Sequence, residues 1–221
     1  MNKNSLTPLA VVTCAGMLAG LAAIFFWVPT EAFQGEVQRI FYIHVPMAWV
    51  AYLAFAVVLV GSIAFLKTNN SRWDALAHSS AEVGVVFTTI CLLTGMLWAK
   101  PVWGTYWRWD PRLTLTFVLF LIYTGYLVIH RTATDPSRGG RLAAVVGITG
   151  FATVPLIHFS VDWWRGQHPG RTVINVEGSP QLPIEMLITV LFMVVVFTLL
   201  YTVLMGMRVR LVRLEERVNA V

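Results

Sequence analysis

Charge is what this sequence has least of. Of its 221 residues only 12% are Asp, Glu, Lys or Arg, while 57% belong to the apolar set from Ala to Trp, Tyr and Cys. Soluble domains carry about 25% charged residues. So few charges cannot cover a water-facing surface, which argues against a soluble globule, a disordered tail and a nucleic-acid-binding domain. Cysteine is almost missing as well: Cys14 and Cys91 both fall in apolar stretches, with no C-x-x-C and no C-x-x-C-H. That pattern argues against a thiol relay and against haem attached to this chain in the c-type manner, and it reads both residues as small core side chains. Phosphate-loop and hydrolase signatures are absent too. Gly166 to Thr172 superficially resembles a phosphate loop, but the Lys-Ser/Thr ending is missing. There is no H-E-x-x-H and no G-x-S-x-G. Neither an internal repeat nor a low-complexity tract is present.

What the chain does have is long apolar runs. Six satisfy the need for about 18–20 apolar residues in a membrane-spanning helix: Leu9–Val28, Val45–Leu66, Glu82–Ala99, Leu113–His130, Leu142–Val161 and Ile184–Gly206. Glu82 and Glu185 are placed at span ends, where a carboxylate reaches the interface. The first run exceeds a signal-peptide core of about 7–15 residues and no A-x-A site follows it, so it is expected to stay as a helix. The fold class is therefore all-α: residues 1–221 as a single polytopic domain of six transmembrane helices. Lys and Arg set its orientation. Lys3, Lys67, Arg72, Arg131, Arg138, Arg141, Arg208, Arg210, Arg213 and Arg217 share one side; Arg39, Lys100, Arg108, Arg112, Arg165 and Arg171 share the other. Ten against six puts both termini in the cytoplasm. The net charge of +5 is then mostly topology, and the Arg208–Arg217 stretch reads as a solvated helix end.

Tryptophan breaks this plain pattern. Trp27, Trp49, Trp98, Trp103, Trp107, Trp109, Trp163 and Trp164 belong to or border the outer segments, and Trp73 alone lies inside. A membrane aromatic belt populates both interfaces; this distribution does not, so the belt reading is kept for Trp27 and Trp49 and set aside for the cluster from Trp98 to Trp109. The segment 98–114 concentrates Trp98, Trp103, Tyr106, Trp107 and Trp109 among Lys100, Arg108, Asp110 and Arg112, with Gly104 and two prolines expected to interrupt any regular helix. Flat π-faces beside cations suit a large planar ligand with anionic groups, and a porphyrin with two propionates has that shape. Arg108 and Arg112 either pair with Asp110 or engage such carboxylates, and both can hold. If the ligand is haem, its iron takes axial donors, most commonly His. His78 and His130 lie on the inner side, roughly 30 Å away. His44 and His168 both reach the Trp-rich side, with His158 as a spare. If Val37 to His44 is helical, Val37, Ile40, Phe41 and His44 share one face.

The run Trp103-Gly-Thr-Tyr-Trp107-Arg-Trp109-Asp110-Pro-Arg112-Leu-Thr resembles the tryptophan-rich "WWD" signature of the haem-handling family of cytochrome c biogenesis. Three further segments resemble one branch of it, that of cytochrome c maturation protein C: Gln38 to Pro46, Trp98 to Trp103, and Pro155 through Trp163 and Trp164 to His168. The resemblance covers Leu9 to about Arg210. It implies non-covalent haem b at the periplasmic face of the bacterial inner membrane, ligated by His44 and His168, with the WWD loop as platform and Trp163 and Trp164 beside it. It also implies delivery of that haem to the chaperone CcmE, with CcmD and the transporter subunits CcmA and CcmB as partners. No enzymatic role of its own is implied beyond assisting haem attachment to the chaperone. Pro111, between Asp110 and Arg112, is a local departure from the pattern. Two other classes compete: a cytochrome b-like electron-transfer subunit, which pairs His on helices within the bilayer, and a solute permease with a Trp-rich lid, which would show broken spans with midplane polar residues.

Overall fold

A computed structural model describes residues 3–164, 166, 168 and 182–219. Arg165, Pro169, Gly170 and Arg171 lie outside the described residues, as do the side chains of Lys3, Arg213 and Arg217. The chain forms α1 (Lys3–Phe26), a 3-10 turn (Glu36–Ile40) running into α2 (Phe41–Thr68), α3 (Ser71–Trp103), α4 (Pro111–Thr132), α5 (Pro136–Phe151), α6 (Thr153–Trp163) and α7 (Ile184–Asn219). Among the described residues, six segments are long and apolar enough to cross a membrane, with the 3-10 turn joined to α2 and α5 joined to α6. Among the described residues the only extended pairing is an isolated bridge between Glu31 and Gly35. The protein is an all-helical, six-span membrane bundle, and six crossings return the chain to the end where it began.

Three boundaries differ from the sequence pattern, each for a local reason. The third span starts at Ser71, not Glu82, because Asn70 caps it by accepting the Arg72 N–H at 3.0 Å. The segment from Ser71 to Ala81 is too polar for a lipid-facing span, yet it is helical because protein covers it: Ala75, Ala77, Ser79, Ser80 and Ala81 are all buried. Glu82 therefore sits about three turns into this helix and not at its start. It lies inside α3, and Arg208 of α7 donates to both of its oxygens, the Nη2–Oε1 bond being 2.8 Å. The same pair means that the C-terminal basic stretch begins with a docked cation rather than a solvated one. The fifth span breaks at Ala152 because Pro155 has no N–H to give the Phe151 carbonyl and its ring crowds that carbonyl. Of the two cysteines, Cys91 is buried as expected, whereas Cys14 faces outward from α1.

The centre of the bundle is the hairpin of α2 on α3. Only Asn69 and Asn70 join these helices. Asn69 takes the left-handed conformation (φ 51°) and its N–H bonds the Phe65 carbonyl at 2.8 Å, closing the end of α2. Small residues then let the backbones approach. A Cβ on Gly61 would stand 3.1 Å from both the Trp73 carbonyl oxygen and the Ala77 Cβ, and one on Gly84 only 2.7 Å from the Phe55 ring. In membranes such contacts and polar cross-links replace the hydrophobic effect as the force between helices. Ser80 supplies one link, donating to the Ala54 carbonyl at 2.7 Å and meeting the Tyr201 hydroxyl of α7 at 2.8 Å. Phe55 in turn stacks on Tyr123 of α4 at 3.7 Å, and the Tyr123 hydroxyl bonds the Gly147 carbonyl of α5.

The register of this hairpin sets the site. From Gly61 back to His44 is 17 residues on α2, and from Ala77 on to Gly95 is 18 on α3, about 26 Å of helix in each case. His44 must therefore meet Gly95, and it does. At the other end His78 and His130 stack at 4.1 Å, and His130 meets Asp74 at 3.0 Å. As the sequence indicates, these two histidines sit far from the tryptophan cluster.

Gly84→Ala should lower the unfolding free energy by about 1–3 kcal/mol, because Phe55 is held by its stack and cannot move aside. Gly125→Ala, where a Cβ meets nothing within 4 Å, should be neutral or slightly stabilising. Denaturant titration of both variants in lipid nanodiscs compares them directly.

Candidate functional site

The tryptophan-rich end is built where α3 stops and α4 starts. The helix passes through Pro101, so that residue does not interrupt it, and Trp98 and Trp103 sit on α3 rather than in a loop. Gly104 ends the helix in the left-handed conformation (φ 77°), its N–H bonding the Lys100 carbonyl at 2.9 Å. Only six residues then remain before α4. Asp110 caps α4 by accepting the Arg112 N–H at 3.0 Å, and Pro111 occupies the first helical position. There its missing N–H costs nothing and its φ is already helical. The proline that departs from the family pattern is thus a helix start.

Within this short loop the cations are committed to local partners. Lys100 bonds the Gly104 carbonyl at 3.0 Å and lies over the Tyr106 ring at 5.3 Å, while Arg108 reaches the Trp103 carbonyl at 3.4 Å. Trp107 packs edge-on to Trp109 at 5.7 Å and to Phe117 of α4 at 6.0 Å. Trp109 projects outward, 76% exposed, beside the half-buried Trp107. Trp163 and Trp164, at the end of α6, meet edge-on at 6.0 Å, and both are exposed.

Two segments converge on the start of α4. Asp110 is buried, and besides capping the helix its Oδ2 accepts the His168 N–H at 3.4 Å. Gly166 permits this approach, since a Cβ there would lie 2.2 Å from the same oxygen. The Arg112 guanidinium extends toward His168 Nδ1 at 3.3 Å and donates to the His158 carbonyl at 3.2 Å. Asp110 and Arg112 thus hold the His168 segment and the end of α6 against the WWD loop. His158 enters through its backbone oxygen; its ring meets Phe159 edge-on at 5.2 Å.

His44 comes from the first turn of α2. Its Nδ1 is 3.1 Å from the Thr94 hydroxyl, its ring lies against Gly95, and Trp98 stands edge-on at 5.8 Å. Trp98 is itself pinned, its indole N–H donating to Gln34 at 2.7 Å. His44 thus borders the tryptophan-rich segment at Trp98, and the Asp110–Arg112–His168 cluster borders it at Asp110. Gln34, Thr94, Gly95 and Thr114 were not evident as site residues. Yet Cys91, Thr94, Gly95 and Trp98 are spaced i, i+3, i+4, i+7, and that helical stripe was there to be read.

The arrangement fits an anionic planar ligand with an iron centre. The Trp107 indole nitrogen and the Thr114 hydroxyl are buried with no hydrogen-bond partner among the described residues. A buried donor left unmatched costs about 1–3 kcal/mol, a cost that a carboxylate arriving at this end would remove. Imidazoles suit iron, and indole faces suit a porphyrin ring.

The model of the family described as heme exporter protein C (CcmC) matches residues 1–221. The chain belongs to that family. Among proteins named heme exporter protein C, that of Bradyrhizobium diazoefficiens is 40% identical over 192 residues, covering 87% of this chain and 73% of its own. That of Haemophilus influenzae is 32% identical over 206 residues, covering 93% and 82%, and that of Escherichia coli is 33% identical over 174 residues, covering 79% and 71%. The heme exporter protein C family is the branch that the WWD run and its flanking segments resemble.

Removing the Asp110 carboxylate releases both the α4 cap and the His168 segment. Asp110→Ala should lower the unfolding free energy by about 1–2 kcal/mol, and Asp110→Ser should recover most of the cap. Chemical denaturation followed by tryptophan fluorescence separates the two.

Proposed function

We propose that this protein binds haem non-covalently at its tryptophan-rich end, on the periplasmic side of a bacterial inner membrane, and presents it to the chaperone CcmE during cytochrome c maturation. The observation that carries this reading is that the WWD segment is bordered by two histidine-bearing arrangements, His44 against Trp98 and the Asp110–Arg112–His168 cluster at the start of α4. Membership of the heme exporter protein C family supports the same ligand, and the excess of Lys and Arg at the opposite end supports the orientation.

In this reading His44 and His168 hold the iron, while Trp103, Trp107 and Trp109 offer ring faces. The Trp107 N–H, the Thr114 hydroxyl and the guanidinium of Arg112 face the propionates. The haem supplies the vinyl group that the chaperone captures, and the chaperone supplies the attacking His. This chain binds and orients. CcmD, CcmA and CcmB are its partners in the complex. The break at Ala152 does not favour a permease, because Pro155 accounts for it locally.

An absorption spectrum of the protein, purified after expression with its partner subunits, is the primary test. A Soret band with a six-coordinate low-spin spectrum is expected; its absence overturns the reading. His44→Ala or His168→Ala should lower haem content. Trp107→Ala or Trp109→Ala should weaken retention about 2- to 10-fold, the worth of about 0.5–1.5 kcal/mol of aromatic contact. The orientation is tested separately: a membrane-impermeant thiol reagent should label Tyr106→Cys from the periplasmic side in intact spheroplasts, and labelling only after lysis would reverse the topology.

A further inference from the structure

We infer that Thr94 and Gly95 of α3 form a seat that presets His44 as the Nδ1–H tautomer and leaves Nε2 as its iron-binding nitrogen. This rests on the haem site proposed above, but Thr94 and Gly95 lie outside the WWD run and its flanking segments.

The argument starts from the proton of Thr94. Its Oγ1 lies 2.8 Å from the Ile90 carbonyl and 3.0 Å from the Cys91 carbonyl, the usual back-bond of a helical threonine. Both distances are shorter than the 3.1 Å to His44 Nδ1. One hydroxyl proton satisfies the carbonyls, so the oxygen presents a lone pair to the imidazole. Nδ1 must then supply the proton of that bond. A neutral imidazole carries only one N–H, which leaves Nε2 with its lone pair. The other groups near the ring nitrogens belong to Cys91: its thiol, at 3.8 and 3.9 Å, a weak donor at long range, and its backbone carbonyl, which like the Thr94 oxygen accepts from a ring N–H.

Gly95 makes the contact possible. A Cβ there would stand 3.1 Å from His44 Cε1 and 3.7 Å from Nδ1, so the missing methyl lets the ring lie close to α3. Trp98, held by Gln34, bounds a further side. Three restraints therefore fix both the ring plane and its proton, as outer-shell partners do for metal-binding histidines.

His168 is held in the opposite sense. A guanidinium has donors and no acceptor, so its Nδ1 accepts from Arg112 at 3.3 Å and its own proton belongs on Nε2. The two histidines are thus unequal. His44 is the standing ligand, whereas His168 must exchange its proton or its partner before offering Nε2. A carrier that has to release its cargo benefits from one firm ligand and one that lets go.

The test uses full-length protein labelled with 15N-histidine in nanodiscs, prepared without haem, with His44→Ala assigning the signals. Nδ1 of His44 should be protonated and Nε2 not. Thr94→Val should abolish that preference, Thr94→Ser should restore it, and Gly95→Ala should weaken it while keeping the hydroxyl. In haem-loaded protein Thr94→Val should reduce retention about 10- to 100-fold and shift the electron paramagnetic resonance g-values, with Thr94→Ser matching wild type. A proton on Nε2 of His44 in the wild type, or a tautomer unmoved by Thr94→Val, overturns the inference. Wild type without haem would defeat the proposed function instead, leaving the tautomer measurement to stand alone.

Discussion

Close backbone approach between α2 and α3 is the constraint on which the rest of this structure depends. Gly61 and Gly84, with Ala54, Ala77 and Ala81, let the two helices come together, and a linker of only Asn69 and Asn70 removes any slack in their register. Lipid gives no hydrophobic reward for joining helices, so contact distance and interhelical hydrogen bonds decide the association. Once that register is set, the position of His44 against Thr94 and Gly95 follows from counting residues. The placement of His44 at the tryptophan-rich end is in this sense a product of packing some 26 Å away.

The second organising element is a single carboxylate. Asp110 closes the first turn of α4 and accepts the His168 N–H, while Gly166 leaves room for both. A loop of six residues between Gly104 and Pro111 has little freedom of its own, and the cap removes most of what is left. Rigid placement matters for a stacking platform because indole contacts gain from orientation as well as area.

Much of this was legible beforehand, and for identifiable reasons. Apolar runs give the six spans, since a membrane demands length and hydropathy and little else. The lopsided tryptophans mark the end that carries His44 and His168. What the pattern concealed was helix covered by protein. Ser71 to Ala81 is polar enough to look like a loop, yet its small residues are buried and its Asp74 meets His130 of α4. Pro101 looked like an interruption, but near the end of a helix a missing N–H is easily tolerated. Thr94 and Gly95 escaped notice because an ordinary threonine and glycine within an apolar run carry no signal until the partner histidine is placed beside them.

The length of α3 carries a mechanical meaning. At 33 residues it runs about 50 Å without a break, and it bears the Glu82–Arg208 pair about a third of the way along and the His44 contacts toward its far end. A continuous helix is a stiff strut: it tilts or turns as a whole and does not flex in the middle. Arg208 of α7 and the imidazole of His44 are therefore both tied to one stiff element, about 20 Å apart along it, with no break in the helix between.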